Sequence, residues 1–338
     1  MRTIRITRQG FSRTGMCFFM SYLERCLGMN YNIVVDDDNP DIVIWSNLSF
    51  DNQPDVWISK KTGVPTPQRS RVPIDHPNLK FLCVSGELMD WESSISLPNK
   101  WAIGYAPISH PRYLQQASAA FDIWGIYDEM MLTDNPTDWL FGRDYSTILQ
   151  RNIRFCSVVQ NSSPPHRVTA CAELDKYKTV DGAGIFRNNR TDSGVNRDGE
   201  QAIYAGRAEG IGYRQKLLFQ SNYKFSIAMQ LCCEPYCVQE KLPQAFFSGN
   251  IPIFWGNPRI LEFGWNPNAF INLHTYESVV GDYRTIDWDA VRDRIRLIDT
   301  DESVRKQMIE EPIFVGNKLP EQLRMSRTAE FLRKMVEA

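Results

Sequence analysis

The sequence predicts an α/β protein with two parallel sheets, one in each half of the chain. Short β-branched or aromatic runs alternate with helical patterns in both halves, which is the order of elements that builds parallel sheets. The chain has 338 residues and is 43% hydrophobic, which is enough for two buried cores. We therefore expect two Rossmann-like domains that face each other across a cleft. Open α/β sheets bind ligands at the carboxyl ends of their strands, so the ligand is expected in that cleft.

The N-terminal half carries several short strand patterns and one helical pattern. Phe18, Leu23 and Leu27 recur at helical spacing, so residues 17–26 are predicted to form a helix that Gly28 ends. Residues 36–40 are rich in Asp, Asn and Pro, which favour tight turns and a solvated surface. The predicted strands are residues 3–6, 33–35, 42–45, 79–84 and 101–105.

The C-terminal half repeats the alternation and ends in helices. The predicted domains are residues 1–148 and 149–320, followed by a C-terminal helix at 321–338 that packs back onto the body. Gly182 and Gly184 are expected to end the first helix of this half, and Gly249 to cap the second. The predicted strands are residues 155–159, 225–229, 251–255 and 269–273, and the predicted helices are 167–177, 238–248, 288–298, 302–309 and 321–337.

Composition excludes several classes of protein. The net charge of −2 provides no global positive field, so nucleic acid and anionic membranes are not expected partners. No run of 18 apolar residues appears, so no transmembrane segment is predicted, and the polar N-terminus does not resemble a secretory signal. Eight cysteines in a chain of this length do not indicate a disulfide framework. A cytoplasmic protein, soluble or peripheral at the membrane, is the simplest interpretation.

Three cysteines, Cys232, Cys233 and Cys237, lie close together in the sequence. A tetrahedral zinc site needs four ligands at spacings such as Cys-x2-Cys, and two adjacent cysteines do not provide that geometry. We predict no metal site and interpret these thiols as small packing groups.

The densest group of polar and aromatic residues lies between 223 and 270, and its centre is Glu240–Lys241 at a predicted helix N-terminus. Free N–H groups and partial positive charge make such a terminus a good phosphate site. Pro243 suits the first turn, while Lys241 opposes the helix dipole unless an anion lies in front of it. From spacing alone, two ordinary solvated helix residues are the favoured interpretation.

This stretch resembles the donor-binding motif of the α-1,3-fucosyltransferases, glycosyltransferase family 10. The matching segments follow the family's order, from a Lys-Phe strand through Glu-Lys and an Ile-Pro-Ile-Phe-Trp-Gly run to a Phe-Ile-Asn strand. Residues 154–159, 180–184 and Arg187-Asn188 also match, and Ser85-Gly86-Glu87 does so more weakly. The resemblance covers residues 154–272 well and is absent from the C-terminal tail.

The resemblance implies a GT-B fold with an N-terminal acceptor domain and a C-terminal donor domain. It also implies GDP-fucose as donor, a glycan acceptor and inversion at the anomeric carbon. In this scheme Glu87 is the general base, which an attacking hydroxyl needs because it loses a proton. Arg187 and Lys241 hold the diphosphate, and Glu240 contacts the fucose or the ribose. Further donor-binding candidates are Tyr236, Gln230 and Asn257.

Several alternatives stay open beside this assignment. Asp90 and Glu92 are close enough in sequence to replace Glu87 as base, and Arg190 competes with Arg187. No cofactor is required, although a loosely bound Mn²⁺ or Mg²⁺ that neutralises GDP is compatible with the scheme. His166 is expected near the cleft.

The chain departs from the family where Met229-Gln230-Leu231 replaces Phe-Glu-Asn. Gln230 loses the charge of the Glu, and Leu231 loses the hydrogen bonds of the Asn. Two rival functions therefore remain. One is a glycosyltransferase of the same fold that uses another nucleotide sugar, and the other is a glycan- or nucleotide-binding protein without turnover.

Overall fold

The computed structural model describes residues 1–9, 23–28, 30–36, 39–45, 56–58, 65–67, 79–84, 95, 97–104, 106–116, 143–160, 162–190, 211–280 and 283–338. The chain divides into two compact units. One consists of Met1–Ala120 together with Arg324–Ala338, and the other consists of Phe121–Leu323. The domain limits expected from the sequence, at residues 148 and 320, differ from this division and stay predictions.

The N-terminal unit is built around a parallel sheet. Its strands are β1 (Arg2–Gln9), β2 (Tyr31–Val35), β3 (Ile42–Trp45), β4 (Val56–Ile58), β5 (Pro65–Pro67), β6 (Lys80–Val84), β7 (Lys100–Gly104) and β8 (Tyr113–Gln115). Six of them form the sheet in the order β2-β1-β3-β6-β7-β8, while β4 and β5 pair with each other. Ile42, Val43 and Ile44 of β3 are all buried, as expected for a central strand that is covered on both faces.

The C-terminal unit contains a second parallel sheet, in the order β10-β9-β11-β12-β13, and a separate antiparallel hairpin of β14 and β15. Its strands are β9 (Arg154–Val158), β10 (Val180–Gly182), β11 (Tyr223–Met229), β12 (Ile251–Trp255), β13 (Ile271–Asn272), β14 (Glu277–Val280) and β15 (Tyr283–Ile286). Its helices are α1 (Tyr145–Leu149), α2 (Pro165–Asp175), α3 (Ile211–Gln220), α4 (Lys241–Phe247), α5 (Trp288–Thr300) and α6 (Glu302–Glu310). The core packs Phe225 and Ile227 of β11 and Ile253 of β12 together with Ile295 and Ile298 of α5.

The last helix, α7 (Met325–Glu337), belongs to the N-terminal unit although it closes the chain. Phe331 packs edge-on against Trp101 of β7, with ring centroids 5.4 Å apart. Lys80 Nζ donates to the carbonyl of Val336 at 2.9 Å, and the Thr328 hydroxyl bonds the buried side chain of Gln116. The sequence predicted one helix at 321–337, whereas a 3₁₀ turn at Glu321–Leu323 precedes the α-helix.

Most of the predicted strands and helices are confirmed in both units, although their first and last residues differ from the predicted ones. Within the described residues, the strands and α-helices that the sequence missed are short or polar: β4, β5, β8, β10, the β14–β15 hairpin, α1 and α3. Residues 23–26 of the predicted first helix are helical and the helix continues through Leu27, while residues 17–22 lie outside the described ranges. In the part of the chain that the structure describes, no helix has the length and apolar character needed to cross a bilayer.

Gly182 and Gly184 have a role other than ending a helix. Gly182 closes β10, and a Cβ on it would lie 2.5 Å from the carbonyl oxygen of Arg187. A Cβ on Gly184 would lie 2.5 Å from the carbonyl oxygen of Gln160. Both glycines are therefore required by close backbone approach beside β9 and β10.

Candidate active site

The order of strands reverses between β9 and β11 in the C-terminal sheet. The chain leaves β9 through α2 to reach β10 on one side, and it leaves β11 through α4 to reach β12 on the other. Right-handed crossovers therefore place α2 and α4 on opposite faces of the sheet. Ligands of open α/β sheets bind outside the carboxyl ends of the strands at such a reversal. Gln160, Gln230 and Asn257 lie at this edge because they follow β9, β11 and β12.

Glu240 directly precedes α4, and the positive charges of two lysines stabilise its carboxylate. Lys241 Nζ lies 2.6 Å from Glu240 Oε1, and the buried Lys216 of α3 adds a second positive charge. Burial opposes ionisation of Glu240, but the charges of Lys241 and Lys216 outweigh it and lower its pKa to about 2. Glu240 is thus a carboxylate at neutral pH. Two lysines and one carboxylate thus lie at or near the start of α4.

Lys241 keeps hydrogen-bonding capacity beyond this pair. An ammonium group has three donors, and the contact with Glu240 Oε1 uses one of them. Its side chain is only 15% exposed, so screening by water is weaker than at an open surface. The structure therefore pairs Lys241 with Glu240 and leaves Lys241 able to bind an anion, while the roles predicted for both residues at the donor stay predictions.

Gln230 is completely buried at the end of β11. Its Oε1 accepts the backbone N–H of Asn257 at 3.0 Å. A Cβ on Gly256 would lie 2.2 Å from the same oxygen, so the amide can occupy this place only because residue 256 is glycine. The structure thus joins two of the predicted donor-binding residues directly.

The amide nitrogens of Gln230 and Asn257 have no hydrogen-bond partner within the described ranges. Both side chains are fully buried. A buried donor without an acceptor costs about 1–3 kcal/mol, so such groups are uncommon in folded proteins. The two nitrogens lie at the carboxyl edge of the sheet, just after β11 and β12 end.

Tyr236 adopts a left-handed backbone with φ of 71°, which is rare for a residue with a side chain. The guanidinium of Arg259 lies 4.7 Å from the centre of its ring and donates to its hydroxyl. Tyr236 is therefore fixed by Arg259 in the loop that joins β11 to α4. Among the described residues, Tyr236 makes no hydrogen bond or ion pair with Glu240 or Lys241.

Arg187 is engaged by a carboxylate of its own unit. Its guanidinium forms a two-pronged pair with Asp175, at 2.8 and 3.1 Å. Burial lowers its pKa, but the hydrogen bonds and charge of Asp175 outweigh burial and raise it above the ordinary value. Asp175 also accepts the backbone N–H of Val180 at 2.8 Å, so the pair lies beside the first residue of β10. The structure does not join Arg187 to Lys241, and its role at the diphosphate stays a prediction.

The alternative arginine is also paired. Arg190 lies 3.7 Å from Asp181, which accepts the hydroxyl of Tyr223 at 3.0 Å. The predicted base Glu87 and its alternatives Asp90 and Glu92 lie outside the described residues.

Sequence reasoning missed a group of three rings beside this edge. The Trp255 ring contacts the rings of His166 and His274, at centroid distances of 4.5 and 6.0 Å. Glu277 Oε1 accepts from Trp255 Nε1 at 2.9 Å and from His274 Nδ1 at 3.0 Å. The only sequence signal was the expectation that His166 lies near the ligand, because the partners are far apart along the chain.

Burial keeps two of the three neighbouring cysteines protonated, while Cys232 is partly exposed. Burial raises the pKa of Cys237 to about 12 and that of Cys233 to about 11. Across the ranges that the structure describes, no three His, Cys, Asp or Glu side chains lie together in a way that could hold a metal ion.

Two Rossmann-like parallel sheets, with cations and buried amides at the carboxyl edge of the second, define a GT-B glycosyltransferase fold. A solved α-1,3-fucosyltransferase superimposes with a TM-score of 0.67 at 19% identity, covering 100% of this chain and 91% of that one. A structure of an α-1,3-fucosyltransferase with GDP-fucose superimposes with a TM-score of 0.62 at 18% identity, covering 100% of this chain and 92% of that one. These likenesses confirm the predicted fold.

Two relatives confirm the resemblance at the level of sequence. An α-(1,3)-fucosyltransferase of Helicobacter pylori is 26% identical over 154 residues, which is 46% of this chain. A putative fucosyltransferase of Acanthamoeba polyphaga mimivirus is 25% identical over 175 residues, which is 51% of this chain. The matched segment is 26% of the length of each relative. No family model matches the sequence.

Proposed function

We propose that the chain is an inverting α-1,3-fucosyltransferase. It transfers L-fucose from GDP-fucose to a hydroxyl of a glycan that contains N-acetylglucosamine or glucose. The observation that carries the proposal is the cluster of Glu240, Lys241 and Lys216 at the start of α4, next to the carboxyl edge of a parallel sheet. The fold and the sequence similarity to α-1,3-fucosyltransferases support the same assignment.

In the proposed reaction, the acceptor hydroxyl attacks the anomeric carbon of fucose on the side opposite GDP. The bond from this carbon to the β-phosphate oxygen breaks, and its electrons leave with GDP. Glu87 takes the proton of the hydroxyl. Negative charge grows on the leaving phosphate, so Lys241, assisted by Lys216 and Arg187, stabilises the transition state by about 3–4 kcal/mol per contact. No metal is required, and Mn²⁺ or Mg²⁺ can add to this effect.

A second candidate is a glycosyltransferase with another nucleotide-sugar donor. The observation that favours it is Gln230, a neutral amide where the family has a carboxylate. Leu231, which stands where the family has Asn, is 53% exposed, and its apolar side chain cannot form a hydrogen bond. Its backbone N–H donates to Gln239 Oε1 at 3.4 Å. The third candidate, a binding protein without turnover, is favoured by no contact in the described residues.

A donor screen separates these functions. The protein is incubated with N-acetyllactosamine and either GDP-fucose, GDP-mannose or UDP-sugars, and the released nucleotide is measured. Acceptor-dependent release from GDP-fucose alone supports the proposal, and NMR of the product then reports the anomeric configuration and the linked hydroxyl. Release only from another donor supports the second candidate, and binding without release supports the third.

A further inference from the structure

A cavity of about 390 Å³ lies in the C-terminal unit beside β13, the edge strand of its sheet. Its walls come from the segment around β13 and from helices α5 and α6, and they include Phe270, Ile271, Tyr276, Arg294 and Met308. Its volume lies in the range of small-molecule sites, which are about 300–1,000 Å³. None of the six predicted donor-binding residues, all of which the structure describes, lines this cavity.

Arg294 is a half-buried cation in the wall of this cavity. Arg292 and Arg296, the other two arginines of α5, both form ion pairs with carboxylates. Arg294 instead donates to the thioether sulfur of Met308 at 3.7 Å, and a thioether is only a weak acceptor. It forms no ion pair with any residue that the structure describes. Because a half-buried charge without a counter-charge is costly, an anion bound beside Arg294 would be stabilised.

The hydroxyl of Tyr276 is a second donor in the same cavity. Burial raises the pKa of Tyr276, and the positive charge of Arg294 opposes this rise only in part. The hydroxyl therefore keeps its proton at neutral pH, and it makes no hydrogen bond within the described ranges. A guanidinium can bind a carboxylate through two parallel N–H bonds, and the hydroxyl can donate to the same group.

The remaining polar groups of the cavity suit hydroxyl groups. Glu311 accepts from Asn266 Nδ2 at 3.0 Å through Oε2, while its Oε1 has no partner among the described residues. Asn268 and Gln307 add two exposed amides to the wall, and each amide offers both donors and an acceptor. A ligand with one carboxylate and several hydroxyls can therefore satisfy all of these groups.

The charge of the cavity favours a carboxylate over a phosphate. Arg294 contributes one positive charge and Glu311 one negative charge, while the other lining residues are neutral. A phosphate group carries close to two negative charges at neutral pH. Glu311 therefore repels a phosphate more strongly than a carboxylate, which has a single charge.

We propose that this cavity binds an acidic sugar of the uronic acid class. The carboxylate of the sugar pairs with Arg294 and accepts from the Tyr276 hydroxyl, and the ring hydroxyls bond Glu311, Asn268 and Gln307. This site is additional to the proposed transfer reaction and does not depend on it.

The test titrates the full chain with the methyl glycosides of glucuronic and galacturonic acid, and saturation-transfer NMR reports binding. The methyl glycosides of glucose and galactose are matched neutral ligands, because they carry a hydroxymethyl group in place of the carboxylate. The variants are Arg294→Met, Tyr276→Phe and the control Arg296→Met. Arg296 lies on the same helix, pairs with Asp293 and does not line the cavity. Thermal unfolding of each variant checks that it folds.

At least one of the two acidic sugars is expected to bind the wild-type protein roughly 10- to 100-fold more tightly than its neutral counterpart, as a hydrogen bond to a charged group implies. Arg294→Met should remove most of this preference, because methionine keeps the length of the apolar stem and loses the charge. Tyr276→Phe should remove a smaller part of it. Arg296→Met should bind both kinds of sugar as the wild type does.

Three results would overturn the proposal. Neither acidic sugar binds the wild-type protein more tightly than its neutral counterpart, or Arg294→Met keeps the full preference, or inorganic phosphate titrated in the same way binds more tightly than both acidic sugars. The last result would identify a phosphate site instead. Nucleotide release from GDP-fucose is measured separately, so failure of this proposal and failure of the proposed function are distinguishable.

Discussion

Lys241 is the residue whose charge the proposed reaction depends on most. Replacing it with methionine keeps most of the side-chain volume and removes the ammonium, leaving the Glu240 carboxylate facing the diphosphate. We expect GDP affinity to fall roughly 10- to 100-fold and turnover to fall at least as much. Isothermal calorimetry with GDP and a nucleotide-release assay measure the two effects.

Lys306→Met is the matched control, because Lys306 is about half exposed and forms an ion pair with Glu310, one helical turn further along the same helix. It should leave GDP binding unchanged. Equal GDP affinity in Lys241→Met and wild type would place the diphosphate away from α4.

The Glu240 carboxylate makes a testable contribution to acid stability. Its folded pKa is about 2, against 4.5 for an ordinary Glu. A depressed pKa means that its stabilisation is fully present above pH 4.5 and is lost as the pH falls towards 2. Melting temperatures of wild type and Glu240→Gln should therefore differ most near neutral pH and converge below about pH 3. A constant difference across this range would show that Glu240 is not an ionised partner of Lys241.

At the residue scale, sequence could predict contacts that are local but not those made across the fold. Glu240 and Lys241 are neighbours, so their pairing needed only the helix start. The bond between Gln230 and Asn257 depends on β11 lying next to β12, and the pairing of Arg187 with Asp175 depends on how the chain returns beside β10. A motif identifies such residues without indicating which of their atoms are already occupied.

At the element scale, the same distinction separates predicted from missed structure. β12 has the bounds that the sequence predicted, because Ile251, Ile253 and Phe254 form an apolar run ended by Gly256. β10 has only three residues, one of them Asp181, and it exists because β9 pairs with it and Asn189 bonds its backbone. α4 begins at Lys241 instead of residue 238, with Glu240 at its N-cap position.

The end of α5 is tied to the sheet by one buried carboxylate. Asp299 is 1% exposed and accepts from Lys224 Nζ at 2.6 Å, Lys178 Nζ at 2.5 Å and the Tyr177 hydroxyl at 2.9 Å. Burial raises the pKa of Asp299, but these three donors outweigh it and keep the pKa below the ordinary value. Asp299→Asn should lower the free energy of unfolding by about 3 kcal/mol, because Lys224 loses its counter-charge.

Urea unfolding followed by tryptophan fluorescence measures this loss. Asp293→Asn on the same helix removes an exposed pair with Arg296 and should cost less than about 0.5 kcal/mol. Equal effects of the two substitutions would mean that burial of Asp299 adds nothing to α5 docking.

At the scale of the whole molecule, the assignment of α7 to the N-terminal unit could not be derived from sequence order. Its amphipathic pattern shows that one face is buried, but the pattern does not say against which sheet. Contacts with β6, β7 and β8 decide this, and they join residues more than 200 positions apart. The two GT-B sheets therefore follow from local patterns, while the final distribution of helices between them follows from packing.

This assignment predicts which unit a core substitution in α7 weakens. Leu332 is fully buried on α7, so Leu332→Ala should cost about 2–5 kcal/mol of stability in the N-terminal unit. Added GDP should stabilise only the C-terminal unit, because a ligand raises the stability of the state that binds it. Differential scanning calorimetry with and without GDP identifies the transition of each unit. Leu332→Ala should lower the transition that GDP does not shift, while Arg333→Ala, which changes the exposed neighbouring position, should lower neither. A loss confined to the GDP-sensitive transition would place α7 with the C-terminal unit instead.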